Sequence, residues 1–557
     1  MRSRLAFALV LTTLVFGATG APRAARRAPK LVVLLAVDQF RADYVDRYEQ
    51  DWTGGLRRLL DTGARFTGAA YPYAQTLTCV GHTTISTGTL PYQHGLIGNN
   101  WFDREAGKSV QCTDDAEASM IPYMNEGKGG HSLARLLVTT LSDELRAQLS
   151  PTPRVAAFSL KARAAMTLAG HKADALAWFE DDVGWVTSSA YSAAKVPFVQ
   201  SFVDANPVDA AKTQSWTKML PATAYLGTDD VAAERPPSAW SRTFPHPYTD
   251  GPATTRRQFY DRWTTSPASD EYLARLAIAS VKALGLGQQG RTDFLAVSFS
   301  ALDLVGHHFG PQSQEVQDTL ARLDRTLGTF FQALDELVGR GQYVVALSAD
   351  HGVSPSPESP ALAGFNTGRL DEGQVTKTLE AVLSAALGPG TYVADVSAAN
   401  VYLAKGIYEK VRAQPALLAS VKAALLAMPG IAAVYETEEL SSPAPTSDPT
   451  RRAATLSHLA SRSGDLYLVV KPYWMFGSNG TTHGTPYAFD QRVPIFFMGY
   501  GVRKGEYANG STPADVAPTL AHVAGVTLPH PDGRVLAEAL TPLRAPAPSA
   551  PAPAKKP

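Results

Sequence analysis

Four strongly apolar runs constrain this chain more than any other feature. Leu31 to Val37 ends on Asp38, and Val155 to Leu160 leads to Lys161 and Arg163. Phe294 to Phe299 leads to Asp303 and His307, and Tyr343 to Leu347 leads to Asp350 and His351. An apolar run without polar alternation suits a strand buried on both faces of a parallel sheet. Each run delivers charged or metal-ligating side chains just past its C-terminal end, the edge where open α/β sheets bind ligands. Helical patterns lie between the runs. Ser313 reads as an N-cap, and Val316, Leu320, Leu323, Leu327, Phe330, Leu334 and Leu337 recur at steps of three and four. That is one apolar face of a helix packed on a sheet. Leu133 to Leu149 reads as another helix, feeding the strand at Val155. Alternating strands and helices predict an α/β fold.

Two stretches break the rhythm. Residues 188–266 are rich in Pro, Ser, Thr and Trp, and residues 355–468 carry their own signals, including a helix from Glu409 to Met428. Both fall between sheet strands, so they are expected as insertions capping the ligand edge of one catalytic domain, 30–543. At the start, Arg2 and Arg4 precede the apolar run Leu5 to Phe16, followed by Gly17, Ala18 and Gly20. This reads as an export signal over 1–20, cleaved near Gly20. No later run reaches the roughly 20 apolar residues of a membrane span, so no membrane anchor is expected after cleavage. The Pro/Ala-rich stretch 544–557 reads as a disordered tail. Lys+Arg and Asp+Glu both number 51, a balance that argues against nucleic acid or an anionic membrane as partner. The two cysteines, Cys79 and Cys112, would be permitted to pair in an exported chain; a disulfide and two buried thiols both remain open.

The candidate chemistry is spread along the chain. Asp38, Asp303, His307, Asp350, His351 and His483, the last within Thr481-Thr-His-Gly-Thr-Pro486, make two sets of three. Mixed Asp/His sets suit Zn²⁺ and leave positions open for a hydroxyl, water or substrate. Asp303 and His307 can face one ion from a turn or helix. Asp350 and His351 are adjacent, so both can turn inward only from an irregular loop. Each residue alone has a plainer reading, as a helix cap or a satisfied histidine. The stretch Gln75-Thr-Leu-Thr-Cys-Val-Gly-His82 adds the Thr78 hydroxyl and a glycine that permits close backbone approach or an unusual turn. An unactivated hydroxyl is a weak nucleophile at neutral pH, so alone this stretch reads as a strand end or cap. Lys161 and Arg163 flank Ala162, and in an extended segment they point the same way.

Asp38, Thr78, Asp303-x-x-x-His307, Asp350-His351 and His483 occur in the order and spacing of the alkaline phosphatase superfamily. Thr78, Gly95-Leu-Ile-Gly-Asn-Asn-Trp101 and Ser159-Leu-Lys-Ala-Arg163 resemble more narrowly its threonine-nucleophile, phosphate-irrepressible (PafA-type) alkaline phosphatases. Asp515-Val-Ala-Pro-Thr-Leu520 resembles the superfamily's final helix segment. The resemblance implies a three-layer α/β/α sandwich around a large, mostly parallel sheet. It implies two Zn²⁺ sites, one of Asp38, Asp350, His351 and the Thr78 hydroxyl, the other of Asp303, His307 and His483. It further implies that Thr78 attacks phosphorus to give a phosphothreonine, with Asn99, Lys161 and Arg163 binding the substrate oxygens; it favours Asn99 over Asn100. The expected enzyme is a monomeric, periplasmic or secreted hydrolase of small phosphate monoesters with broad range. Phosphodiesterases and nucleotide pyrophosphatases of the superfamily share the Thr and Asn and are the alternative. The Lys-x-Arg pair resembles the monoesterase type, because a monoester offers cationic donors one more negative charge. A non-catalytic metal- or phosphate-binding relative fits less well, as does a sulfatase, which resembles a formylglycine precursor where Thr78 stands. His82, His94, His171 and His308 take supporting roles by default, and Trp178 and Phe179 core positions.

Overall fold

All four apolar runs are strands, and they lie in one sheet. The computed structural model describes residues 28–541, except 238–239, 398, 442–445 and 479. The expected export signal and Pro/Ala tail lie outside the described residues. The sheet holds β1 (Leu31–Val37), β2 (Ala64–Phe66), β3 (Met120–Pro122), β4 (Val155–Ser159) and β5 (Ala175–Glu180). It continues with β6 (Gly184–Ser188), β7 (Asp293–Phe299), β8 (Tyr343–Ser348), β9 (Ile495–Gly499) and β10 (Gly505–Tyr507). Their order in space is β10-β2-β9-β8-β1-β7-β4-β5-β6-β3. The central strands β8-β1-β7-β4-β5 are all parallel, and antiparallel pairs flank them on both sides.

The burial of β1 explains its unbroken apolar run. Leu31, Val33, Leu35 and Val37 join one apolar layer, while Val32, Leu34 and Ala36 join the other. The first layer includes residues of the helices Gly55–Thr62, Pro267–Leu284 and Gln314–Leu334. The second includes residues of Thr78–Thr87, Leu141–Gln148, Ala162–Ala169 and Val516–Ala524. This is the α/β/α sandwich the resemblance implies. Hereafter α1 is Thr78–Thr87, α2 Ala162–Ala169, α3 Ala301–Phe309 and α4 Gln314–Leu334. Trp178 and Phe179 are buried in β5. Register decides where the site lies. Val37 pairs with Phe299, Ala36 with Ser348 and Ser298 with Ser159, so these parallel strands all end at one edge.

Local structure departs from the sequence expectation at three points. The helix expected over Leu133 to Leu149 begins only at Leu141, where Thr140 and Asp143 exchange hydrogen bonds as a capping box. That start signal overrides the apolar spacing before it. The helix expected from Glu409 to Met428 is two, Ile407–Arg412 and Pro415–Leu426. Pro415 supplies no N–H and disfavours helical backbone at Gln414. The third departure concerns Lys161 and Arg163 and is described with the site. Ser313 caps α4 as expected, its hydroxyl accepting from the Val316 N–H.

Within 188–266 lie the helices Pro197–Ala205 and Arg256–Thr264 and a short pairing of Ser215–Trp216 with His246–Pro247. The Asp318 carboxylate on α4 pins this region. It accepts from the Trp216 indole at 2.7 Å, the Met219 N–H at 2.7 Å, the Arg322 guanidinium at 2.6 Å and the Tyr225 hydroxyl. Within 355–468 and just beyond, four antiparallel strands (Val393–Ser397, Asn400–Leu403, Leu466–Val470, Ile431–Glu436) pack with the helices Glu372–Leu387 and Pro415–Leu426 in their own apolar cluster. Among the described residues no helix is long and apolar enough to cross a membrane. Replacing Asp318 with Ala strands those buried donors. It is expected to lower unfolding free energy by about 3–5 kcal/mol in urea titrations and to open residues 215–226 to limited proteolysis.

Candidate active site

The parallel strand ends deliver the acids of the site directly. Asp38 follows β1, and its N–H donates to the Phe299 carbonyl at 2.9 Å. Asp350 and His351 leave β8 in an irregular segment, as their adjacency requires. After β7, the buried Asp270 carboxylate accepts the N–H groups of Ser300 and Ala301 at 3.1 and 3.3 Å. This satisfies donors at the start of α3. Asp303 in its first turn and His307 four residues on share one helix face. His483 enters from a loop anchored by Asp490, which accepts the Thr485 N–H and hydroxyl at 3.0 and 2.6 Å.

Two groups result, Asp38/Asp350/His351 and Asp303/His307/His483, each with ligand atoms close enough to share an ion. In the first, His351 Nε2 stands 3.5 Å from Asp38 Oδ1, 3.2 Å from Asp350 Oδ2 and 3.5 Å from Thr78 Oγ1. In the second, Asp303 Oδ1 stands 3.2 Å from His307 Nε2 and 3.9 Å from His483 Nε2. A tetrahedral ion with bonds of about 2.0–2.1 Å separates its ligands by about 3.3 Å, so the spacing fits Zn²⁺. The His351 and His483 rings stack with centroids 3.4 Å apart, making the groups neighbours.

The tautomers also fit. Nδ1 of His307, His351 and His483 donates to the carbonyls of Thr481, Gly352 and Thr76 at 2.7, 2.9 and 2.7 Å. Each Nε2 lone pair is thereby turned to the shared centre, the usual arrangement behind a metal-ligating histidine. Burial lowers the pKa of His351, and burial together with His351 and His307 lowers that of His483 well below the ordinary value. Burial opposes ionisation of Asp303, yet His307 and Lys161 hold it well below the carboxylate range. Burial and then Asp38 raise Asp350. Asp38 Oδ1 is buried and accepts no hydrogen bond, as an acceptor does when a cation is its proper partner.

Thr78 is buried at the first position of α1. Gly81 lets that helix approach the β8 turn: a Cβ there would stand 2.1 Å from the Asp350 carbonyl oxygen. The glycine thus serves close approach, one of its two expected uses. His82, one turn beyond Thr78, places Nδ1 2.9 Å from the Thr78 carbonyl and 3.1 Å from Asp350 Oδ2, and Nε2 2.7 Å from Ser298 Oγ. Asn99 Oδ1 accepts the Cys79 N–H at 2.9 Å, and the Asn99 carbonyl accepts the Cys112 N–H at 2.9 Å. Cys79 and Cys112 form a disulfide, so one short network braces Thr78 and Asn99.

Lys161 and Arg163 do not share an extended segment. Lys161 occupies the N-cap position of α2 without a side-chain capping bond, and Arg163 lies in the helix's first turn. The Lys161 ammonium bridges Asp38 and Asp303, one from each group, and burial notwithstanding, Asp303 and Asp38 raise its pKa. The Arg163 charge acts on Lys161, and its buried Nε has no hydrogen-bond partner. A cleft of about 910 Å³ opens from His307, lined also by Arg235, Trp240 and His308.

Sequence reasoning singled out Asp38, Thr78, Asn99, Lys161, Arg163, Asp303, His307, Asp350, His351 and His483, and all lie at this edge or in its bracing network. It missed Gln39, whose backbone and side chain touch both groups. His82 and Ser298 had no assigned contact; four-residue spacing from Thr78 was the only signal for His82. His94 and His171 are held by local contacts with Thr84 and Asp143, and His308 bonds the Arg235 carbonyl. Chelator-stripped protein is expected to melt at a lower temperature and Zn²⁺ to restore it, since a ligand at 100 times its Kd adds about 2.7 kcal/mol. Scanning fluorimetry of wild type and Asp350→Ala, in which the restoration should shrink, checks this.

A family model described as type I phosphodiesterase / nucleotide pyrophosphatase matches residues 32–492. Over 508 residues the chain is 33% identical to alkaline phosphatase PafA of Elizabethkingia meningoseptica, covering 90% of this chain and 92% of that one. Over 529 residues it is 34% identical to alkaline phosphatase PhoK of a Sphingomonas species, covering 91% of each. The crystal structure of wild-type alkaline phosphatase PafA matches with a TM-score of 0.84 at 32% identity, over 92% of this chain and 99% of that one. With that extent of match in sequence and in fold, the chain belongs to the alkaline phosphatase superfamily, closely resembles the PafA-type alkaline phosphatases, and is a phosphate-hydrolysing enzyme.

Proposed function

We propose that this enzyme hydrolyses phosphate monoesters of broad range through a phosphothreonine on Thr78. The observation that carries the reading is the Thr78 hydroxyl at 3.5 Å from His351 Nε2, beside two Asp/His groups and the Lys161/Arg163 pair. Asp38, Asp350, His351 and the Thr78 hydroxyl would hold one Zn²⁺, and Asp303, His307 and His483 the other. When bound, the ions supply Lewis-acid stabilisation of negative charge on the attacking and leaving oxygens.

The chain's own residues do the rest. Thr78 at the start of α1 sits in the positive end of the helix dipole, which favours an ionised hydroxyl and a phosphoryl group alike. Its Oγ attacks phosphorus, the ester P–O bond breaks, and the alcohol departs. Water then attacks the phosphothreonine, releasing inorganic phosphate and restoring the hydroxyl. Phosphoryl transfer depends on positioning and on charge spread over three oxygens. Asn99, whose amide is oriented by the Cys79 N–H, and the cations Lys161 and Arg163 supply donors for those oxygens. The wide cleft beside His307 admits varied leaving groups, which supports a broad range.

Export is supported by Arg2, Arg4 and the Leu5 to Phe16 run, and by the disulfide, which belongs to an oxidising compartment. The two Asp/His groups are complete within a single chain, so the proposed reaction needs no second subunit. A second reading, diester hydrolysis by the same residues, draws on the match to the type I phosphodiesterase / nucleotide pyrophosphatase family.

Comparing kcat/KM for p-nitrophenyl phosphate and its methyl diester separates the readings. The monoester should be preferred, and a strong diester preference would replace the first reading with the second. Lys161→Ala should cost about 10²–10³ in monoester turnover and much less for the diester, because it removes a donor to a charged oxygen. Rapid acid quench followed by peptide mass spectrometry should find phosphate on Thr78, and Thr78→Ala should abolish both the label and turnover.

A further inference from the structure

One buried residue adopts an unfavourable backbone and touches both Asp/His groups. Among the described residues, four non-glycine positions have positive φ: Gln39 (66°), Asp182 (60°), Tyr473 (64°) and His530 (47°). Of these, only Gln39 is buried. It occupies the third position of a turn closed by the Phe40 N–H and the Val37 carbonyl at 3.3 Å, where a positive φ ordinarily selects glycine. Such a conformation persists in a larger residue only where its surroundings impose it, and it marks a position worth a functional question.

The contacts of Gln39 answer that question. Its backbone N–H donates to Asp350 Oδ1 at 3.1 Å, in the Asp38/Asp350/His351 group. Its side-chain Nε2 donates to Asp303 Oδ1 at 2.6 Å, in the other group. Strand alternation would send Asp38 and Gln39 to opposite faces; the turn instead brings both to the site. Gly306, between Asp303 and His307 on α3, makes the room: a Cβ there would stand 1.8 Å from Gln39 Oε1. The amide orients Asp303 without neutralising it, leaving the carboxylate charge for a cation.

We infer that Gln39 is a positioning residue that locks the two metal groups to each other, its main chain holding Asp350 and its amide holding Asp303. This rests on the two-metal reading proposed above. Gln39→Gly is the discriminating variant, because it relaxes the backbone, keeps the N–H to Asp350 and deletes only the amide. Full-length protein stripped of metal would be titrated with Zn²⁺ against a chromophoric chelator, with His307→Ala identifying which ion is which. The expected result is an unchanged dissociation constant at the Asp38 group and one about 10–100-fold weaker at the Asp303 group, the usual effect of losing a residue that orients a ligand. The metal-free variant should melt at or above the wild-type temperature. Gly306→Ala, which displaces the amide without deleting it, should give the same selective loss. Unchanged constants for both ions, or equal weakening of both with a lowered melting temperature, would overturn the inference. A wild-type chain that binds a single ion would instead overturn the two-metal reading beneath it.

Discussion

Three buried carboxylates packed at one sheet edge are the constraint on which the rest of this structure depends. Asp38, Asp303 and Asp350 are all buried, and parallel register forces their strands to end together. Burying like charges is costly unless cations or donors answer them. Lys161 bridges Asp38 and Asp303, His82 lies against Asp350, and Gln39 donates to Asp350 and Asp303. Asp38 Oδ1 still has no hydrogen bond, and it lies in a group whose ligand atoms could share a cation. The same electrostatic demand that makes the edge unfavourable by itself would favour a cation in each Asp/His group.

Lys161 and Arg163 stand at the start of α2, the positive end of the helix dipole, where basic residues are disfavoured. Helix stability gives no reason for them to be there. The acids of both groups give one, and in the proposed reaction a phosphoryl dianion gives another. The matching family model is described as a type I phosphodiesterase / nucleotide pyrophosphatase while the similar relatives are alkaline phosphatases. Fold alone therefore does not separate the two activities, and in the proposed reaction this pair would do so.

Precision at Thr78 comes from packing as much as from charge. Gly81 brings α1 against the Asp350 backbone, and the disulfide with the two Asn99 hydrogen bonds fixes the other side of the helix start. His351 and His483 reach their places through carbonyls on the Gly352 and Thr76 segments, so the loop before Thr78 also orients a histidine of the second group. Thr78, Asn99 and the two Asp/His groups are thus held by contacts between segments distant in sequence rather than by independent loops.

The apolar runs and their terminal acids determined the sheet and the edge at which function would lie, because burial on both faces of a parallel strand leaves a legible local pattern. Residue type and spacing also determined the six Asp/His candidates, the shared face open to Asp303 and His307, and the irregular segment at Asp350; their division into two sets was implied by the family resemblance. Tertiary structure alone decided which ends meet, since the order β8-β1-β7-β4 has no local signature. It decided the disulfide and the placing of Lys161 and Arg163 at the start of a helix, whereas the breaks at Leu141 and Pro415 follow from local signals, a capping box and a proline. It alone revealed Gln39 and His82 as contacts of the site, because hydrogen bonds between distant segments leave no periodicity to read. Periodicity records what a residue is buried against; only the folded chain shows what it is bonded to.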